Sequence, residues 1–419
     1  MSGVGIVADD LTGANDTAVQ FAREGWPTLL SLRPDGRPAP VDGVLAVCTD
    51  ARALGDEAVD VTAAAVERLR DAGVGRLYLK LDSTLRGSVA GQVEGALRAW
   101  SARHPDAVAV VCPAYPAMGR VVADGVVLAG GRRLEDGPAG RDPVTPVRTS
   151  LLADLLPGSV HVPLPPGGDP GALADALARA GAAARVLTVD ARDDADLARV
   201  AGAVTRLGPR VVPAGSAGLA LALAPRWYPG SGAPGAGTAP RPVADGPVLV
   251  LVTSLHQVAR EQEERLRVEW GSAALHLAPA TADLRDARSL AAWSAAHVPD
   301  GPLPEVVVVT APLERAEGRG DAGRTVAAAL ADLVAALHAA HPARAVVVTG
   351  GDGARALVDR WGCTGIAVHG AVVEGVPHGL LVGGEADGLP ITTKAGGFGE
   401  PGTLVRAVAA AAAVRAPSR

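Results

Sequence analysis

A chain of 419 residues, 20% of them charged and with a formal net charge of −6, is long enough for two ordinary domains and shows no basic surface for nucleic acid. Aromatics at 3% leave few rings for stacking on bases. Cys48, Cys112 and Cys363 are widely spaced with no C-x-x-C pair, which argues against a disulfide framework and a zinc knuckle.

The first element expected is a buried strand over Val4 to Ala8 that ends on two adjacent carboxylates, Asp9 and Asp10. A glycine-containing turn follows, and then a helical pattern with Ala14, Ala18, Phe21 and Ala22 on one side, stopped at Gly25. In an open α/β sheet, ligands bind at the carboxyl ends of strands. One Asp there is explained as a helix cap, whereas the second asks for another role. Further strand-like runs follow at 28–32, 44–49, 77–81, 107–112, 185–189 and 210–214, alternating with helical stretches such as 56–72 and 88–103. Such alternation predicts a parallel sheet covered on both faces.

Two strand ends carry chemistry. The run 44–49 leads into Asp50-Ala51-Arg52, where an arginine fork would suit a carboxylate or a phosphate. In Leu77-Tyr78-Leu79-Lys80-Leu81-Asp82-Ser83-Thr84-Leu85-Arg86-Gly87 the leucines share one face and Tyr78, Lys80 and Asp82 the other. A structural ion pair and a Ser or Thr cap would account for Ser83 or Thr84, but a Lys and an Asp on one pleat of a buried strand are costly unless they bind something, which favours a site. Cys112 to Arg120 reads as a rigid loop, followed by a hairpin with Gly130-Gly131 at its turn and by Arg141-Asp142-Pro143. This excursion is either plain loop or a lid.

Between Tyr228 and Pro247 the chain is too rich in Pro and Gly to pack, and it is expected to be an interdomain linker. Strand patterns resume at Val248–Val252, 306–310 and 345–349, with a charged amphipathic helix at about 258–269. Thr349-Gly350-Gly351-Asp352-Gly353 is a glycine-rich strand-to-helix turn able to offer backbone N–H groups to an anion. Lys394-Ala395-Gly396-Gly397-Phe398-Gly399 precedes Pro401 and a last helix, suiting a phosphate cradle with a cationic partner. Either turn alone could be merely tight; two in one domain favour a nucleotide site. No G-x-x-x-x-G-K-[ST], no G-x-G-x-x-G after the first strand, no H-R-D with D-F-G and no G-x-S-x-G occurs. The opening core strand, in place of a leader, and the interruption of the Ala-rich run near 405–416 by Arg406 and Arg415 point to a soluble, cytoplasmic protein.

Six blocks, in order, resemble the four-carbon acid sugar kinase family, ATP-dependent kinases of tetronates and 3-oxotetronates. They are Ala8 to Ala14, Lys80 to Gly87, Arg141-Asp142-Pro143, Gly215 to Ala220, Thr349 to Asp352 and Lys394 to Gly399. The resemblance implies an α/β protein of two domains, each on a mainly parallel sheet flanked by helices, with the active site in the interdomain cleft. Residues 1–227 would bind the sugar acid, 228–246 would be the linker, and 247–419 would bind nucleotide. Substrate contacts would fall to Asp10, Arg52, Lys80, Leu81, Asp82, Ser83 and Arg86, with Asp10, Asp9 and Asp82 as candidate proton acceptors and Asp10 preferred. ATP would lie against Ser254, Gly350, Gly351, Asp352, Gly353, Lys394, Gly396 and Gly397, with Mg²⁺ on its phosphates and few protein ligands. The chain departs from the family at Thr253, where a glycine is usual, and at Gly353, where a threonine is common. The reaction expected is transfer of the γ-phosphoryl group to the terminal hydroxyl of threonate, erythronate or a 3-oxo-tetronate, with no nucleic-acid or membrane partner and a possible homodimer. Alternatives are a kinase or ligase of another small hydroxy acid, and a two-lobed metabolite sensor without chemistry.

Overall fold

The computed structural model describes residues 3–32, 43–142, 144–228, 244–313 and 321–414. It divides into two compact units, Met1–Gly235 and Ala236–Arg419. Most of the expected linker (229–243), together with Pro143, lies outside the described residues.

In the first unit the strands are β1 (Val4–Ala8), β2 (Thr28–Ser31), β3 (Val44–Cys48), β4 (Arg76–Lys80), β5 (Val108–Cys112), β6 (Arg120–Ala123), β7 (Val126–Ala129), β8 (Arg132–Arg133), β9 (Val160–Val162), β10 (Val186–Val189) and β11 (Val211–Gly215). β6, β7 and β8 form a small antiparallel sheet, and the others form a parallel one in the order β2-β3-β1-β4-β11-β5-β10-β9. β1, β3, β5 and β11 are buried at every position, as near-continuous apolar runs in a sheet covered on both faces should be. Because β1 is flanked by β3 and β4, with Ala8 level with both Cys48 and Lys80, the three chains leave the sheet side by side. The chain runs to one side of β1 for β2 and β3 and to the other for β4, which makes this carboxyl edge a topological switch point.

The second unit repeats the device with β12 (Val248–Val252), β13 (Ala274–Leu277), β14 (Val306–Thr310), β15 (Ala345–Thr349), β16 (Gly365–Val373), β17 (Val376–Val382) and β18 (Pro390–Lys394), in the order β13-β14-β12-β15-β18-β17-β16. β12 to β15 and β18 are parallel, and β17 and β16 run antiparallel. Alternate valines of β12, β14 and β15 pack with Leu404, Ala407 and Val408 of the last helix into one core. Val252 is level with Thr349, and Thr349 with Lys394, so the turns after β12, β15 and β18 also emerge together.

The strands expected from apolar runs lie within a residue or two of these positions. β6, β9, β13 and the β16–β17 hairpin had no such signal, because they are short or half-buried, and β16–β17 is broken by register shifts after Val368 and Ala371. Among the described residues one helix, Gly323–Ala340, is long and apolar enough to cross a membrane by composition. Here it is a covering helix, with Leu330, Val334 and Leu337 no more than 3% exposed.

Candidate functional site

The helix Leu11–Arg23 begins directly after Asp10, which caps it: Asp10 Oδ1 accepts from Gly13 N at 2.7 Å and Oδ2 from Thr12 Oγ1 at 3.0 Å. Asp9, one residue earlier, is 1% exposed. Its two oxygens accept from Arg52 Nε and Nη2 at 2.7 and 3.1 Å, the bidentate fork that fits a carboxylate. Arg52 Nη2 also lies 3.0 Å from Asp10 and 3.6 Å from Asp82. One guanidinium thus joins the ends of all three central strands. Its own place is fixed by Gly87, where a Cβ would stand 2.0 Å from the Arg52 carbonyl, and by Ser88 N donating to that carbonyl at 2.9 Å.

Asp82 is wrapped by its own loop. It accepts from Thr84 Oγ1 at 2.5 Å and from Arg86 Nε and Nη2 at 2.9 and 2.7 Å. Arg86 Nη1 turns instead to Asp142, 3.0 Å away. The tight wrap puts Leu85 in the left-handed region, at φ 54°. Lys80, 4% exposed, donates its Nζ to the Leu81 carbonyl at 2.7 Å. A Cβ on Gly13 would sit 2.4 Å from Asp10 Oδ1 and 2.9 Å from Lys80 Nζ, so glycine at 13 is what lets the ammonium approach Asp10. Leu81 is buried and gives its N–H to Gly215; Ser83 is half-buried in the same loop. The structure therefore brings together Asp9, Asp10, Arg52, Lys80, Leu81, Asp82, Ser83 and Arg86, and adds Thr12, Gly13, Thr84 and Asp142. Asp142 carried a signal, since it lies in one of the family blocks. Tyr78 leaves the group, because its hydroxyl donates to the Ser216 carbonyl.

Burial governs the titration of the three carboxyls, and their partners then separate them. Burial raises Asp9 above the usual carboxylate range, and Arg52 only partly offsets it. Burial also opposes ionisation of Asp10, but Arg52 and Lys80 together hold it below the ordinary value. Asp82 is buried too, yet Arg52 and Arg86 keep it well below. With a side chain 27% exposed, against 0% for Asp9 and 9% for Asp82, Asp10 is the carboxylate that faces outward.

In the second unit the helix Gly351–Arg360 starts at Gly350, with φ 111° and no side-chain cap on its first N–H groups. Such an uncapped start leaves N–H groups that are able to hold an anion, with the helix dipole in its favour. Its walls are close. A Cβ on Gly350 would lie 3.1 Å from Ser254 N, and one on Gly396 would lie 1.9 Å from Ser254 Oγ. A Cβ on Gly397 would lie 3.0 Å from Nε2 of His256, whose Nδ1 accepts from Val258 N and caps the helix Gln257–Trp270. Ser254, Gly350, Gly351, Gly353, Gly396 and Gly397 thus share one edge, with Asp352 exposed in the first helical turn.

Lys394 stands otherwise than expected of a phosphate partner. It is 1% exposed, and its Nζ donates to the carbonyls of Ala395 at 2.8 Å and Phe398 at 2.9 Å. Burial draws its pKa down to about 8. Gln262 donates to the carbonyls of Phe398 and Glu400 from the other side, so the two side chains shape the glycine loop from within. The two departures from the family pattern also meet. A Cβ on Gly353 would fall 2.4 Å from Thr253 Oγ1 and 2.6 Å from its Cγ2, so the threonine at 253 occupies the room that a side chain at 353 would need.

A family model described as a sugar-binding N-terminal domain matches residues 4–223, and one described as a nucleotide-binding C-terminal domain matches residues 249–404. A D-threonate kinase of Bordetella bronchiseptica is 46% identical over 97% of this chain and 97% of that protein. A crystal structure from Bordetella bronchiseptica, a domain-swapped dimer with bound citrate, is 44% identical, spans 98% of this chain and 99% of that one, and has a TM-score of 0.50. A Salmonella typhimurium LT2 structure, 23% identical over 97% of this chain and 99% of that one, shares the fold with a TM-score of 0.80. With both family models matched in order and a relative of this identity along nearly its whole length, the chain belongs to the four-carbon acid sugar kinase family.

Proposed function

We propose that the chain, by its family a phosphotransferase with a hydroxyl acceptor, moves the γ-phosphoryl group of ATP to the C4 hydroxyl of a four-carbon sugar acid, with D-threonate the first candidate. The observation that carries this is the pairing of chemistries. One unit gathers acidic and cationic side chains around an outward-facing Asp10, and the other presents an uncapped helix start walled by glycines. ATP, with Mg²⁺ on its phosphates, supplies the transferable group and offsets its charge.

The chain's own residues have distinct tasks in this reading. The N–H groups at Gly351 to Gly353 and the Ser254 hydroxyl would hold phosphate oxygens, and Asp352, exposed in that first helical turn, would be available to the accompanying cation. Asp10, ionised near neutral pH, accepts the proton of the attacking hydroxyl. A strong base is not needed, because alignment and charge do most of the work of phosphoryl transfer. Asp9 and Asp82 aim Arg52 and Arg86. Residues 1–227 serve the sugar acid and 247–419 the nucleotide, and the need for ATP puts the reaction in the cytoplasm. The swapped dimer of the Bordetella relative supports a homodimer.

The test is ADP release with Mg-ATP on threonate, erythronate and their 3-oxo forms. Turnover on at least one, abolished by Asp10→Asn, is expected. Folded protein inert on all four overturns the reading.

A further inference from the structure

Resting on the kinase reading above, we propose that Arg120, at the head of β6, is the residue that binds the substrate's carboxylate. Four carboxylates, Asp9, Asp10, Asp82 and Asp142, crowd the acceptor site against three cations, Arg52, Lys80 and Arg86. These cations are already committed. All three guanidinium nitrogens of Arg86 hold carboxylates, Arg52 serves Asp9, Asp10 and Asp82, and Lys80 donates to a carbonyl beside Asp10. A sugar acid entering this network as it stands meets an excess of negative charge.

Arg120 is the cation left over. It is half-buried, on the loop that leaves β5 at the same edge as Lys80, since Gly215 is level with both Cys112 and Lys80. Asp82 and Asp16 act on it at longer range, yet no carboxylate forms an ion pair with it among the described residues. Its Nη1 donates to the Met118 carbonyl, and its Nε is buried with no hydrogen-bond partner. A guanidinium withdrawn from water without a counter-ion is expensive, and an arriving carboxylate relieves that cost. The mount is rigid, as a binding residue requires. Tyr115 and Arg120 exchange backbone hydrogen bonds at 2.8 and 3.1 Å, and Gly130 N donates to the Gly119 carbonyl at 2.7 Å. Ser216 Oγ holds the Ala114 carbonyl at 2.8 Å, so the loop is fastened to the start of the helix Ala217–Trp227. The loop from Cys112 to Arg120 thus delivers a preorganised fork to the site.

The test compares wild type with Arg120→Met and Arg120→Gln. The glutamine keeps a donor for the Met118 carbonyl and drops the charge. Both variants should raise the KM for threonate by about 10- to 100-fold, the loss expected for one charge-assisted contact. The KM for ATP should stay within about twofold, and Arg120→Lys should recover part of the loss. Threitol, which keeps the hydroxyls and lacks the carboxylate, should inhibit wild type and variants equally weakly. A threonate KM that does not move, or parallel losses for threonate, threitol and ATP, would make Arg120 a structural residue and overturn the proposal. If one substitution unfolds the protein, the other carries the comparison, and a melting curve with saturating threonate is read for both: stabilisation equal to wild type refutes the proposal. Wild type that is inert on every four-carbon acid refutes the kinase reading itself.

Discussion

Gly353 and Thr253 make the sharpest test of how the nucleotide unit is packed. A threonine at 353 would bring its Cβ to 2.4 Å from Thr253 Oγ1, 2.6 Å from Cγ2 and 3.1 Å from Cβ. Rotating Thr253 does not help, because both γ atoms lie within the clash and the backbone is pinned by Thr253 N donating to Thr349 O at 3.0 Å. Overpacking of this kind costs about 1–3 kcal/mol. In a unit of this size that lowers Tm by roughly 2–4 °C per kcal/mol. Thr253→Gly alone should cost about 1 kcal/mol, through backbone freedom and a 3.3 Å hydrogen bond to the Thr349 carbonyl. The double variant, which restores the family's usual arrangement, should be more stable than Gly353→Thr alone, with a coupling of about 1–3 kcal/mol in its favour. Urea denaturation of the four proteins measures this, and the KM for ATP should follow the same order. If Gly353→Thr is as stable as wild type, or if the two changes simply add, the two positions do not share space and the reasoning fails.

Three further expectations follow from the same geometry. Asp9→Asn should destabilise the first unit by roughly 1–3 kcal/mol, less than an isolated buried pair because Arg52 keeps Asp10 and Asp82, whereas Asp10→Asn should remove turnover at little cost in stability, because an asparagine oxygen still caps the helix; the opposite pattern in melting curves and rates would exchange their roles. The lowered pKa values of Asp82 and Asp10 stabilise the fold fully above the unfolded value near 3.8 and are lost as pH falls through the folded values, while the raised Asp9 works in the other sense and gives stability on the acid side. Asp82→Asn should therefore flatten the acid limb of a stability–pH curve, and an unchanged limb would deny Asp82 its ion pairs. Lys394→Met should raise the KM for ATP with little change for threonate, and should abolish the gain in stability between about pH 8 and 10.5 that follows from the depressed lysine; an unmoved KM would mean the glycine loop holds its shape without the ammonium.

Much of this was legible in the residue order, for a definite reason. Buried parallel strands must be continuously apolar, so Val4–Ala8, Val248–Val252 and Ala345–Thr349 announce themselves, and in such sheets chemistry gathers at the carboxyl ends. Asp9-Asp10, Lys80 to Arg86, Gly350 to Gly353 and Gly396-Gly397 could thus be singled out with no coordinates. What the order of residues could not show is which side chains are spent on one another. That Asp9 belongs to Arg52, Asp82 to Arg86, and Lys394 to the carbonyls of its own loop depends on strands distant in sequence being placed at one edge. Arg120 gave no signal at all, since a lone arginine after a proline-rich loop looks like any surface residue. Its meaning lies in forming no ion pair among the described residues where each neighbouring cation has a partner, and that is a property of three-dimensional proximity.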